Sequence, residues 1–201
     1  MKRCKYLRVV LKHKFHVFNA CARSGIVWRG LMHDISKLSP KEFFESYKYY
    51  GFNKSVVDKE KELKGHSDVW LRHKGINKHH WSYWIDVKMG KVEIIEMPYQ
   101  YMVEMVCDWI GAGKTYNDRW DLEVLRDWYY KNGDSIVMHK VNREYIDMAI
   151  ERAESEEDLY KTWLSGDGKM FQLFKNLNYP NMSKVEEFHI KYFNGEEKDA
   201  G

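Results

Sequence analysis

Cysteine is scarce in this chain of 201 residues. There are three, Cys4, Cys21 and Cys107, an odd number without a Cys-x-x-Cys spacing. That pattern excludes a disulfide framework and fits a reducing compartment. Long apolar runs are missing as well. No stretch approaches the roughly 18 apolar residues that a membrane span needs. After the basic start, Arg8 and then Lys12, His13 and Lys14 interrupt the run Tyr6–Leu11, so no signal peptide is expected. An excess of one charge is also lacking: the net charge is +3, too small to argue for nucleic acid. Repeats, low-complexity segments and clear inter-domain linkers are absent, and the strand signal is slight. These absences leave a cytoplasmic protein with no membrane or nucleic-acid partner. Its residues 1–193 form a single domain and 194–201 a loose polar tail. Oligomeric state stays open.

What is present is enough apolar surface for a core (44% of residues) and many aromatics, among them 8 Trp and 14 Tyr. The apolar residues recur at helical spacing, and the fold class read from them is all-α. A helix over 5–24 places His13, Val17 and Ala20 close to one face. A short helix follows over 26–34. Ser39-Pro40-Lys41-Glu42 is a helix start, with Ser39 as N-cap and Glu42 closing a capping box. Residues 53–65 form a charged helical connector. A long aromatic helix is expected over 67–86, with His73, Asn77, His80 and Trp84 on one face and His79 to the side. A turn at Met89-Gly90-Lys91 and a short extended piece come next. A helix over 99–110, ended by Gly111 and Gly113, is followed by helices over 121–131, 141–164 (broken near Ser155) and 184–193 after Ser183.

The stretch around which the chain is organised is His33-Asp34-Ile35-Ser36-Lys37. An imidazole and a carboxylate side by side supply the nitrogen and hard oxygen that a divalent metal takes. Lys37 puts a cation beside whatever the metal binds. Asp108 stands among apolar neighbours, where an unpaired carboxylate costs several kcal/mol. In chain order the candidates are His13, His33-Asp34 with Lys37, His73, His79-His80 and Asp108. His16 is the rival to His13. Arg29, Lys41 and Glu104 have weaker claims, and Cys107 reads as a small core residue. Trp81, Tyr83 and Trp84 could stack on a ring.

This order resembles the HD superfamily of metal-dependent phosphohydrolases. The resemblance rests on His13-Lys14-Phe15-His16-Val17, on His33-Asp34-Ile35-Ser36-Lys37 and on the late Asp108. It covers about residues 10–115. Residues 33–43, 73–80 and Met105-Val106-Cys107-Asp108-Trp109 also look like an uncharacterised HD-like family. A helical extension over about 119–193 is read from the sequence pattern alone. The resemblance implies an HD-like helical bundle with a central metal site at about 5–115. It implies that His13, His33, Asp34 and Asp108 hold one ion, with Asp34 bridging to a second held by His73, His79 and His80. The mixed donors suit Mn, Fe, Co, Ni or Zn. Trp81-Ser82-Tyr83-Trp84 stands where the cyclic-dinucleotide branch has its own signature, so that substrate is not expected. The resulting expectation is a phosphohydrolase that activates water against a nucleotide or another small phosphate ester, with Asp34 and Lys37 in catalysis. The alternatives are an HD-type two-iron oxygenase and a non-catalytic helical binding domain.

Overall fold

The computed structural model describes residues 2–51, 55–117 and 119–176. The helix expected over 184–193 and the tail 194–201 lie outside the described residues. Helix makes up 72% and strand 5%, an all-α fold. No helix among the described residues is long and apolar enough to cross a membrane.

Helix α1 (Lys2–Arg23) turns through Gly25 into the short α2 (Val27–Met32), and a 3-10 turn at Ile35–Leu38 leads to α3 (Pro40–Lys48). Helices α4 (Val56–Lys64) and α5 (Asp68–Ile76) complete this side of the molecule. Hydroxyl caps start three of these helices. Ser39 Oγ accepts from Glu42 N at 3.3 Å, Ser55 Oγ from Asp58 N at 3.0 Å and Ser67 Oγ from Trp70 N at 3.0 Å.

The long helix expected over 67–86 stops at Ile76. The cause is Asn77, which adopts extended backbone and sends both its own N–H and its side-chain Nδ2–H to the carbonyl of His73, at 3.0 and 2.9 Å. The chain then runs through a loop carrying His79 and His80 and a 3-10 turn at Trp81–Trp84. It enters an antiparallel hairpin, β1 (Ile85–Lys88) and β2 (Lys91–Ile94), in which Lys88 faces Lys91. Met89 and Gly90 at its tip have φ of 51° and 77°, the left-handed pair that a two-residue hairpin turn needs.

Helix α6 (Tyr99–Tyr116) is the centre of the fold. Its Val103, Val106, Cys107 and Ile110 are fully buried with Val17, Ala20 and Cys21 of α1. The expected stop at Gly111 and Gly113 does not occur. These glycines allow close approach instead. A Cβ on Gly111 would lie 2.3 Å from Val17 Cγ2, and one on Gly113 would meet the Trp120 ring at 2.0 Å. Beyond α6 come α7 (Leu122–Asn132), α8 (Lys140–Arg152), α9 (Glu156–Asp158, running into a π turn at Leu159–Trp163) and α10 (Lys169–Asn176). The break near Ser155 is present, whereas α10 was not expected from the sequence. Asn142 on α8 ties this layer to the start of α6, bonding the backbone N and O of Met97 at 2.8 and 2.9 Å.

Candidate metal centre

Four segments converge on α6. Helix α1 brings His13. The turn after α2 brings His33 and Asp34, and α5 brings His73. The following loop brings His79 and His80, and α6 brings Asp108. All seven of the metal-site residues expected from the sequence meet here. They form two donor groups whose atoms lie within 4.8 Å of one another: His13, His33, Asp34 and Asp108 in one, and Asp34, His73, His79 and His80 in the other. His16 belongs to neither group.

The local backbone explains the delivery. Asp34 sits in the left-handed region at φ 50°, a conformation that Asp tolerates at a cost of about 1–3 kcal/mol. It reverses the chain just past α2, so that His33 and Asp34 both turn inward. His79 and His80 are also adjacent and both reach the centre. On a helix they would diverge by about 100°, which is why the break at Asn77 matters. His79, read from the sequence as lying to one side, is buried between His33, Asp34 and Glu104.

In the first group His13 Nε2 lies 3.1 Å from Asp108 Oδ1 and 3.8 Å from Asp34 Oδ2. His33 Nε2 lies 3.4 Å from Asp34 Oδ2 and 3.5 Å from Asp108 Oδ1. In the second group Asp34 Oδ1 is 3.2 Å from His73 Nε2 and 3.5 Å from His79 Nε2. Asp34 thus gives one oxygen to each group. Around a metal with bonds near 2.1 Å, neighbouring donors stand roughly 3.0–3.4 Å apart; the 3.1, 3.4 and 3.2 Å separations match, and the 3.5, 3.5 and 3.8 Å ones are longer. Although these atoms are close, none of the five Nε2 atoms nor Asp34 Oδ1 makes an aligned hydrogen bond, and all are buried; Asp34 Oδ2 is ion-paired with Lys37 Nζ. Buried polar atoms are nearly always partnered, so donors aimed at one point without partners fit a bound cation.

The opposite edges of the rings are held. Glu104 Oε1 accepts from His33 Nδ1 at 3.1 Å and lies 3.2 Å from His79 Nδ1. Glu42 Oε1 is 2.7 Å from His73 Nδ1. Both contacts put the ring proton on Nδ1 and leave Nε2 free for a metal. The grouping of His33, His79 and Glu104 is therefore support for the rings rather than a third ion site. Glu42 does not close the capping box read from the sequence, because its carboxylate is turned to His73. Arg29 donates to Glu104 Oε2 at 3.3 Å and to Gln100 Oε1 at 3.3 Å, and its guanidinium lies 4.0 Å from the Tyr101 ring centroid. Lys14 donates to the carbonyls of Leu31 and His33 at 2.7 and 2.6 Å, which fixes the end of α2 to α1.

The electrostatics point the same way. Burial works against charge on every group, yet the imidazoles and Lys37 hold Asp34 well below the usual carboxylate range. Asp108 is likewise held down by His13 and His33. Glu104, buried but bonded by two imidazoles, falls to about 2. Burial opposes protonation of His33 and His73, but Asp34 and the other carboxylates outweigh it and raise both. His80, buried and next to His79, is pushed well down and stays neutral. The centre is a negative cage that favours positive charge.

Lys37 Nζ lies 2.5 Å from Asp34 Oδ2 and lines a cavity of about 610 Å³ that also touches His13, His73 and His80. Trp81, Tyr83 and Trp84 do not line it. Trp81 and Trp84 pack against the core, and Trp84 Nε1 donates to Lys78 O at 2.7 Å. The aromatic residues that line the cavity are Tyr6, Tyr50, Trp70 and Tyr116, and Trp70 stands edge-on to His80 with centroids 4.8 Å apart. Glu104 and Trp70 were the residues hardest to assign from sequence. The one available signal for Glu104 was its place four residues before Asp108, on the same face of α6.

A family model described as a family of unknown function (DUF5662) matches residues 2–152. No curated protein and no solved structure matches the chain.

Proposed function

We propose that this chain, which belongs to that family of unknown function, holds divalent transition-metal ions at the two donor groups and hydrolyses a small phosphate ester. The observation that carries the metal reading is the set of buried, inward donors without an aligned hydrogen bond: five imidazole Nε2 atoms and Oδ1 of Asp34. Each such atom left bare would cost about 1–3 kcal/mol. The donor order resembles that of the HD superfamily, and the mixed His and carboxylate set suits Mn, Fe, Co, Ni or Zn.

Bound there, a divalent ion lowers the pKa of water and polarises a phosphoryl oxygen. The protein's own groups do the rest. Glu104 and Glu42 fix the ring orientations. Lys37 offers its ammonium to the phosphate from the cavity side, where a neighbouring cation strengthens hydrogen bonds to a phosphate oxygen. The cavity walls keep bulk water from the ester. In the reaction, a water oxygen joins phosphorus and the ester P–O bond breaks. One water proton ends on the released alcohol and the other on inorganic phosphate.

The test is elemental analysis of the purified chain, followed by phosphate-release assays on a panel of mono-, di- and cyclic nucleotides and simple esters. Several metals are supplied, with and without air. At least one transition-metal ion per chain and oxygen-independent phosphate release are expected. Folded protein that neither carries nor accepts metal would overturn the reading. Oxygen-dependent turnover with a two-iron spectrum would replace it with the oxygenase.

A further inference from the structure

The cavity beside the metal centre has a wall unlike its floor. The floor is His13, Lys37, His73 and His80. The wall is Val9 and Val10 of α1, Val56 and Val57 of α4, Val69 of α5, and Tyr6. Five valines from three helices make a broad apolar surface, with Trp70 standing where the wall meets the floor. Both serine hydroxyls on it are already engaged. Ser55 Oγ accepts from Asp58 N at 3.0 Å and donates to Asp58 Oδ2 at 2.7 Å. Ser46 hydrogen-bonds Tyr6, and Glu42 holds His73. Among the described residues that line the cavity, Lys37 is the one lysine or arginine.

Two consequences follow for what fits. A polyphosphate, with charge spread over several groups, would find one ammonium, and charge placed against valine goes unpaired. A nucleobase would bring donors and acceptors against a wall made mainly of valine, and those left unpaired there are penalised heavily. At about 610 Å³ the space is of the size that encloses a small organic molecule.

We propose that the substrate is a monophosphate ester whose alcohol is apolar and uncharged, a ring or branched hydrocarbon group, with its phosphate at Lys37 and its organic part against the valine wall. This rests on the phosphohydrolase reading and narrows it away from nucleotides.

The experiment uses the full-length, manganese-loaded protein and two readouts. Steady-state hydrolysis is compared for 1-naphthyl phosphate, phenyl phosphate, AMP and ATP, and 1-naphthol binding is measured by calorimetry without turnover. Naphthyl phosphate should exceed AMP in kcat/KM by about tenfold or more, the effect of one unpaired polar group at about 1.4 kcal/mol per decade. Val9→Asp and Val57→Asp, on different helices, should each raise KM for naphthyl phosphate and weaken naphthol binding by about tenfold, with metal content unchanged. Preference for AMP or ATP, or an unchanged KM in both variants, would overturn the assignment while leaving the hydrolase standing. Naphthol binding with no ester hydrolysed would overturn the hydrolase reading and the substrate with it.

Discussion

The rings of His33 and His79 stand 4.4 Å apart, centroid to centroid, and both turn Nδ1 onto the same oxygen, Glu104 Oε1. One carboxylate on α6 therefore sets the direction of an imidazole in each donor group. Glu104→Ala should weaken metal binding about 10–100-fold although every proposed ligand remains. Glu104→Gln keeps an acceptor oxygen and should lose less. Titration against a competing chelator reads this directly, and equal affinity in wild type and the alanine variant would remove Glu104 from the site.

Gly111 offers a test that touches no polar group. Its added Cβ would lie 2.3 Å from Val17 Cγ2 and 2.9 Å from Val17 N, so the backbone of α1 must move. Gly111→Ala should cost about 1–3 kcal/mol and lower the Tm by several degrees. It should also lower metal affinity, because α1 carries His13 and α6 carries Asp108. Unchanged melting would show that the two helices are less tightly joined than described.

The pH dependence has a definite sign. Carboxylates raise the pKa of His33 and His73 above the ordinary imidazole value. In metal-free protein these two contribute stability that is fully present below about 6.5 and lost as pH rises through their folded values. Metal and protons compete for the same nitrogens, so metal affinity should climb over that range. Melting curves across pH, with and without Mn, should diverge toward alkaline pH. Parallel curves would contradict the assignment.

Glu60 supports the site from below. Its carboxylate accepts from Lys64 Nζ at 2.8 Å, Ser67 Oγ at 2.7 Å and Val69 N at 3.1 Å, joining α4 to the start of α5. Burial opposes its charge, but these bonds bring its pKa from 4.5 to about 2. The stabilisation is complete above about 4.5 and is lost as pH falls through about 2. Glu60→Gln should cost about 1–3 kcal/mol at pH 7, and the gap to wild type should shrink below pH 4.5. A gap that stays constant with pH would rule out the charge as its source.

Much of the architecture was legible because it rests on local rules. Ser39 marks a helix start that the structure keeps, the helix expected over 121–131 is present as α7, and the His33-Asp34 pair, Asp108 and the flanking histidines meet. The misreadings came where one residue could obey two rules. Glu42 has the spacing of a capping box, yet the buried imidazole of His73, two helices further along the chain, is the better partner. Asn77 fits a helical face by spacing, but its side chain competes for the His73 carbonyl and ends the helix. Gly111 looks like a terminator, and only the nearness of Val17 shows it to be a contact point. Sequence spacing records neighbours along the chain, and these three choices are decided by neighbours across it.

The seam where Gly111 receives Val17 also sets a timetable. His13 and Asp108 lie at opposite ends of the stretch that forms the centre, and they meet only when α6 docks on α1. During synthesis the ribosome must release the chain well past Asp108 before that seam can close. Until then the emerging histidines form at most partial sets with weak hold on any ion. On the proposed reading, metal enters a finished framework, and its capture certifies that the long-range closure has taken place.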